Sequence, residues 1–84
     1  MPVVQGLVQR LKLTSGFVLA WAYIGPSPTS TTLLLVTQRT TDLIDIAARA
    51  SMADALSSAF AAGRQVSATH ADNSADIDMI EVVP

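Results

Sequence analysis

Trp21 and Tyr23 are the residues whose types and spacing best fit ligand binding. They stand two positions apart in the apolar run Phe17–Ile24, so in a β-strand both rings lie on the same face. Rings with apolar faces and polar edges can stack on a sugar or on a nucleobase. The competing interpretation, which is the commoner outcome for such a pair, is that both rings pack in a core or a subunit interface.

Catalytic chemistry has few candidates in this chain. His70 is the only imidazole, and no serine stands in the strained elbow of a serine hydrolase. A nucleophile needs a base beside it, and no motif pairs a nucleophile with His70. His70 is therefore interpreted as a structural histidine. The four glycines are isolated from one another and form no phosphate-binding loop. We therefore expect a protein that is not an enzyme.

Carboxylates are concentrated near the C-terminus, where a calcium site is one interpretation. Their spacing lacks the glycine and the final bidentate glutamate of an EF-hand loop, so a solvated hairpin is favoured. These residues are Asp72, Asp76, Asp78 and Glu81. With no cysteine and a single histidine, the chain predicts neither a metal site nor a cofactor.

Length and composition predict a single domain, residues 1–84, that associates with copies of itself. Only 14% of the residues are charged, whereas an average domain has about 25%. A small monomer exposes too much surface for so few charges, so part of that surface is expected to be a homo-oligomer interface. A net charge of −2 and five scattered basic residues argue against a nucleic-acid partner.

Membrane insertion and secretion have no signal in the sequence. The longest wholly apolar run, Phe17–Ile24, is far shorter than the roughly 20 residues that cross a bilayer. The N-terminus lacks the basic stretch and apolar stretch of a signal peptide. We expect a cytoplasmic protein from the chain as it stands, or a secreted one if the chain is a processed form.

Alternating apolar residues and turn signals predict strands over most of the chain. In the first strand, Val3–Leu13, the alternation places Leu7 and Leu11 on the face opposite Val8, and the turn 14–16 follows. The segment 25–30 is expected to be a loop because it contains two prolines. The other strands are predicted over Phe17–Ile24, Thr31–Gln38, Gln65–Ala71 and Ile77–Val83.

One helix is predicted from Ser51, a good N-cap residue, to Gly63, which ends helices readily in the left-handed conformation. The preceding segment, Leu43–Ala50, combines alternating isoleucines with helix-forming alanines, and a short strand ending near Ala48 is favoured. Small residues on the helix indicate close packing against another subunit. The predicted interface residues are Met52, Ala55, Ser58, Ala59 and Ala62.

The resulting order, β-β-β-β-α-β-β, is that of a small OB-type barrel, mainly β with one late helix. The segment Asp54–Val83 resembles the C-terminal half of the pentameric B subunits of bacterial AB5 toxins, of both the Shiga and the cholera kinds. The shared features are a helix ending at Gly63, a strand opening at Val66, an asparagine-containing turn at Asp72-Asn73 and a closing Ile/Val strand.

The resemblance implies a ring of five OB-fold subunits whose helices line a pore, and binding of cell-surface glycans. It also implies that Asn73 stands at the place of a sugar-contacting asparagine. The family's disulfide is absent, and Asp72 or a neighbour replaces its sugar-stacking tryptophan. Trp21 and Tyr23 do not match the family's receptor positions.

We therefore expect a non-enzymatic, homo-oligomeric binding module, a pentamer, that recognises a glycan or a protein. Its candidate ligand contacts are Trp21, Tyr23, Asp72 and Asn73. The alternative is a cytoplasmic structural or scaffold ring that binds no glycan. Binding of single-stranded nucleic acid is natural for OB folds, but the net charge opposes it.

Overall fold

The computed structural model describes residues 2–14 and 16–83, which form one antiparallel sheet and one helix. Mainly β structure with a single helix is thus confirmed for the described residues. The helix α1 (Leu43–Ala62) follows three strands and precedes two. The strands are β1 (Val3–Leu13), β2 (Val18–Ser27), β3 (Ser30–Thr37), β4 (Gln65–His70) and β5 (Ile77–Val83).

The sheet has the order β3-β2-β1-β4-β5, and each neighbouring pair of strands is antiparallel. Its two edge strands approach each other at one end. There Leu35 forms a parallel bridge with Asp76, and the Leu35 N–H donates to the Ala75 carbonyl over 2.8 Å. This isolated bridge does not close the sheet into a barrel.

The core lies between one face of the sheet and α1. Leu56 and Ala59 of the helix are 0% and 2% exposed, and they pack in one cluster with alternate residues of the strands. The small side chains Ala20, Ala22 and Ala68 in this cluster let the helix come close to the sheet. The other buried strand residues are Val8, Ile24, Leu34, Val36, Val66 and Ile77.

The strand predicted before the helix is wrong, because the segment from Leu43 onward is helical. Asp42, rather than Ser51, is the N-cap: its carboxylate accepts a hydrogen bond from the Ile44 N–H over 3.3 Å. The alanines that follow favour a helix strongly enough to outweigh the β-branched Ile44 and Ile46. The element order is therefore β-β-β-α-β-β.

The predicted end of the helix is confirmed. Gly63 adopts a left-handed φ of 65°, and its N–H and that of Arg64 donate to carbonyls of the last helical turn. The turn between β4 and β5 also follows the prediction, since Asn73 has a φ of 63°. Ser15 of the predicted turn 14–16 lies outside the described residues.

A β-bulge at Gln9 overturns the predicted alternation of β1. The register with β2 shifts between Val8 and Arg10, so Val8 is buried on the same face as Leu11. After the bulge, Arg10 and Lys12 lie on the opposite, outer face. Because of the bulge, both cations lie outside the core and next to residues of β2.

The predicted loop 25–30 is largely strand. β2 continues to Ser27 and pairs with Ser30, leaving only Pro28 and Thr29 in the turn. A register irregularity between Ile24 and Ser27 accommodates Pro26, which lacks an N–H to donate to the sheet.

A cluster of ionic contacts holds α1 against both edges of the sheet. Arg49 is 1% exposed, and its guanidinium donates to the Thr37 carbonyl of β3 and to the Asp76 carboxylate beside β5. Asp76 also accepts from the Thr37 N–H over 3.2 Å. Arg39 pairs with Asp78 at 2.6 Å and with Asp76 at 3.5 Å.

Both guanidinium groups of this cluster stay charged at neutral pH. Burial lowers the pKa of Arg49, since desolvation outweighs the attraction of Asp76. The hydrogen bond from Arg39 to Asp78 raises the pKa of Arg39. Arg49 is therefore a buried cation whose stability depends on one carboxylate and one carbonyl.

We predict that Asp42→Ala lowers the free energy of unfolding by about 1 kcal/mol, because the first turn of α1 loses its cap. Urea denaturation followed by circular dichroism measures the change. Thr41→Ala, which alters the neighbouring exposed residue, is the control and is expected to change stability by less than about 0.5 kcal/mol. Equal effects of the two changes would show that the helix does not begin at Asp42.

We predict that Asp76→Ala destabilises the fold by about 3 kcal/mol or more, because it leaves Arg49 charged and buried without its carboxylate. Asp78→Ala removes only the more exposed pair with Arg39 and should cost less than about 1 kcal/mol. Denaturation at one fixed protein concentration compares the two. A cost for Asp76→Ala no larger than that for Asp78→Ala would contradict the role assigned to the buried pair.

Candidate ligand-binding site

The face of the sheet that turns away from α1 carries Trp21 and Tyr23. Both belong to β2, where they alternate with the buried Ala20, Ala22 and Ile24, so both rings lie on the outer face. Each ring is partly exposed to solvent. The predicted sharing of one face by the two aromatic residues is thus seen in the fold, and neither ring is in the core of the described chain.

Two exposed cations of β1 stand beside these rings. Register pairs Lys12 with Trp21 and Arg10 with Tyr23. The Lys12 Nζ lies 5.6 Å from the centre of the Trp21 ring, and the Arg10 Cζ lies 5.5 Å from that of Tyr23. These are distances at which a cation is attracted to the face of an aromatic ring.

One leucine of β3 completes each of these two rows across the face. Leu33 pairs with Tyr23, and Leu35 pairs with Trp21. The outer face of β1, β2 and β3 therefore has two parallel rows, each with a cation, an aromatic ring and a leucine. We call these six residues the aromatic face; they are Arg10, Lys12, Trp21, Tyr23, Leu33 and Leu35.

A groove of about 370 Å³ opens at one end of the aromatic face. Arg10 and Tyr23 line one side of it, and Gln9, Pro28 and Thr31 line the rest. The bulge at Gln9 and the tight β2–β3 turn place these residues together. The groove is at the small end of the volume range of ligand sites, which is roughly 300–1,000 Å³.

A second cavity, of about 150 Å³, lies beside Gly25 and has no charged residue in its lining. Next to this cavity, β1 and β2 approach each other closely at Gly6 and Gly25. A Cβ added to Gly6 would stand 2.7 Å from the Gly25 carbonyl carbon. These two glycines, which are isolated in the sequence, are thus neighbours that permit packing rather than a phosphate loop.

The predicted contacts Asp72 and Asn73 are in a different place. Both are exposed in the turn between β4 and β5, and no hydrogen bond of the described residues joins them to the aromatic face. The structure therefore divides the four candidate ligand contacts into an aromatic pair and a turn pair.

The five predicted interface residues differ in how exposed they are. Ser58 and Ala62 are exposed, and Ala55 is half-buried. Ala59 is 2% exposed in the core of its own subunit, and Met52 packs against the same core. Only Ala55, Ser58 and Ala62 are therefore placed to contact a neighbouring chain.

The remaining polar candidates have structural partners. His70 is half-buried, with its ring Nδ1 2.9 Å from the Ala71 carbonyl oxygen and its backbone N–H donating to the Pro2 carbonyl. Asp76 and Asp78 bind the arginines of the ionic cluster, whereas Asp72 and Glu81 are exposed, as expected for a solvated hairpin. Among residues 2–14 and 16–83, no group of three acidic, histidine or cysteine side chains is arranged to hold a metal ion.

Sequence reasoning missed the contribution of Arg10, Gln9 and Thr31 to the site. In the sequence, Arg10 and Lys12 are two of five scattered basic residues, and alternation within one strand does not reveal which strand lies beside it. The two cations are two residues apart in the sequence, and so are the two aromatic residues. If β1 and β2 are taken as a hairpin, this equal spacing indicates that each cation lies opposite one ring.

No protein family model, curated protein or solved structure matches this chain. Within the residues that the structure describes, no helix has both the length and the apolar character needed to cross a membrane. The resemblance to toxin B subunits remains a prediction from the sequence.

Proposed function

We propose that this chain is a non-enzymatic, homo-oligomeric binding module of the OB type that recognises a glycan through its aromatic face. The observation that carries the proposal is the outward position of the partly exposed Trp21 and Tyr23, on a sheet face that the helix of the described residues does not cover. Aromatic side chains that large are usually buried, and burying them in a ligand or a partner is energetically favourable.

The order of elements supports an OB-type fold. An OB fold is a partly open, five-stranded barrel whose ligands lie on the face of its second and third strands. Here five strands with a helix between the third and fourth have their edge strands in contact at Leu35 and Asp76. Trp21 and Tyr23 belong to the second strand, and Leu33 and Leu35 to the third.

Charge favours a glycan over a nucleic acid. The chain has a net charge of −2, and two of its five basic residues, Arg39 and Arg49, are paired with carboxylates. Long electrostatic grooves that follow a phosphate backbone need more cations than the aromatic face provides. Sugar rings present apolar C–H faces to aromatic walls and hydroxyl groups to polar side chains.

The exposed side of α1 supports assembly. Leu43 and Ile44 at its beginning are 79% and 80% exposed, and Phe60 near its end is 47% exposed. From Ala50 to Ala62 its only charged residue is Asp54. A neighbouring helix could pack closely on Ala55, Ser58 and Ala62 and cover Ile44, which lies on the same side of α1, leaving the aromatic face on the outside.

A structural ring without a glycan ligand is the second candidate. The same apolar helix surface favours it, because that surface requires only self-association. The two candidates differ in what the aromatic face does: in the first it binds a ligand, and in the second it is covered by a further subunit or has no ligand.

We predict that the protein in solution is an oligomer, with a mass of at least twice the 8.8 kDa of one chain. The mass is five times that of one chain if the toxin-like ring applies. We also predict that Ser58→Arg dissociates the oligomer. An arginine at Ser58 would place a charge and a long side chain in the closely packed interface. Native mass spectrometry measures both species. Thr29→Arg, in the β2–β3 turn, is the control and should leave the mass unchanged.

A wild-type monomer at micromolar concentration would contradict the proposed assembly. So would a Ser58→Arg variant that keeps the wild-type mass, because the interface would then lie elsewhere. Circular dichroism of the variant distinguishes dissociation from unfolding.

We predict that a glycan identified on a broad array quenches or shifts the fluorescence of Trp21, which is the single tryptophan of the chain. Tyr23→Ala should weaken binding about tenfold, as loss of an aromatic wall costs roughly 1 kcal/mol or slightly more. Phe17→Ala is a matched control, because Phe17 is 70% exposed and lies outside the aromatic face.

Asn73→Gly tests the turn pair separately, since glycine accepts the left-handed backbone of Asn73. Loss of binding with Asn73→Gly but not with Tyr23→Ala would move the site to the β4–β5 turn. No binding to any array glycan would favour the structural ring.

A further inference from the structure

Arg10 is an exposed cation held at the edge of a groove with no carboxylate partner. None of the ion pairs among the described residues involves Arg10 or Lys12. The groove lining, which consists of Gln9, Arg10, Tyr23, Pro28 and Thr31, contains no acidic residue. Its only formal charge is therefore positive, although the whole chain is negative.

The position of Arg10 suits it to bind a planar anion. Its Cζ lies 5.5 Å from the centre of the Tyr23 ring, which restrains the side chain. The N–H groups at the guanidinium edge can then donate two parallel hydrogen bonds to one carboxylate. An ammonium group could supply charge but not this paired geometry.

The other groove residues fit the rest of a sugar ring. Tyr23 and Pro28 provide apolar walls, and the Thr31 hydroxyl can donate or accept a hydrogen bond. The Gln9 Nε2 donates to the Gly25 carbonyl over 3.0 Å, which fixes the amide beside the groove with its own oxygen available as an acceptor. A volume of about 370 Å³ suits one or two sugar units.

We infer that this groove binds a carboxylated pyranose, with the carboxylate on Arg10 and the ring against Tyr23. The inference rests on the proposed glycan function and names the class of sugar. A polyanionic nucleic-acid strand is a poorer fit, because Arg10 is the only cation of the groove and Lys12 stands one row away.

The test compares methyl β-D-glucuronide with methyl β-D-glucoside, which differ only in a carboxylate in place of a hydroxymethyl group. Backbone amide signals of the assembled protein are followed by NMR at constant ionic strength during each titration. The glucuronide should bind about tenfold more tightly, and the shifts should concentrate at Gln9, Arg10, Tyr23 and Thr31, the groove residues that have a backbone N–H.

Three variants distinguish the paired hydrogen bonds of the Arg10 guanidinium from the effect of its charge alone. Arg10→Gln should reduce the preference for the acid to less than about twofold, and Arg10→Lys should retain only part of it. Arg64→Gln is the matched control, because it removes the same charge from an exposed arginine that lies outside both the aromatic face and the ionic cluster. It should keep most of the preference. Arg10 and Arg64 are both solvent-exposed, so the fold is expected to persist in all three variants.

Equal binding of both sugars at the groove would overturn the inference and leave the glycan function standing. An equal loss of preference in Arg64→Gln and Arg10→Gln would also overturn it, because general charge would then explain the effect. Absence of groove shifts with either sugar, while an array glycan still quenches Trp21, would overturn it as well. Tighter binding of oligothymidylate at the same residues would replace the sugar with single-stranded nucleic acid.

Discussion

The buried contact between Arg49 and Asp76 fixes the relation between the helix and the sheet. Arg49 is on α1, its carbonyl acceptor is at the end of β3, and Asp76 directly precedes β5. One guanidinium thus connects three elements that are distant in the sequence. Because a buried charge without its partner is costly, we expect these three elements to separate together rather than one at a time.

In this arrangement, α1 covers one face of the sheet and leaves the other face without a helix. A single helix can cover only one face, and the small residues Ala20, Ala22 and Ala68 bring α1 close to that face. The bulge at Gln9 then directs Arg10 and Lys12 outward, where they meet the rings of β2. The result is a face that is rich in aromatic and apolar side chains and has no cover within the described chain. In the proposed assembly, α1 contacts other subunits and the aromatic face contacts the ligand.

Local signals in the sequence predicted local structure well. Gly63 ends the helix and Asn73 takes the left-handed turn position because both conformations depend on the residue itself. Leu43–Ala50 was wrongly predicted as a strand because Ile44 and Ile46 alternate. What secures the helix there is an Asp42 cap and an Arg49 contact with a residue 27 positions away. The aromatic pair could be found from its spacing, whereas the groove could not, since it depends on the bulge and on strand register.

The accessibility of Trp21 in the assembled protein tests the central claim most directly. Acrylamide quenching of its fluorescence would be compared between the wild-type assembly and the dissociated Ser58→Arg variant. If the aromatic face is the ligand face, Trp21 is quenched with similar efficiency in both, and an added glycan ligand protects it. Strong protection in the wild-type assembly that disappears in Ser58→Arg would place Trp21 in a subunit interface and contradict the account.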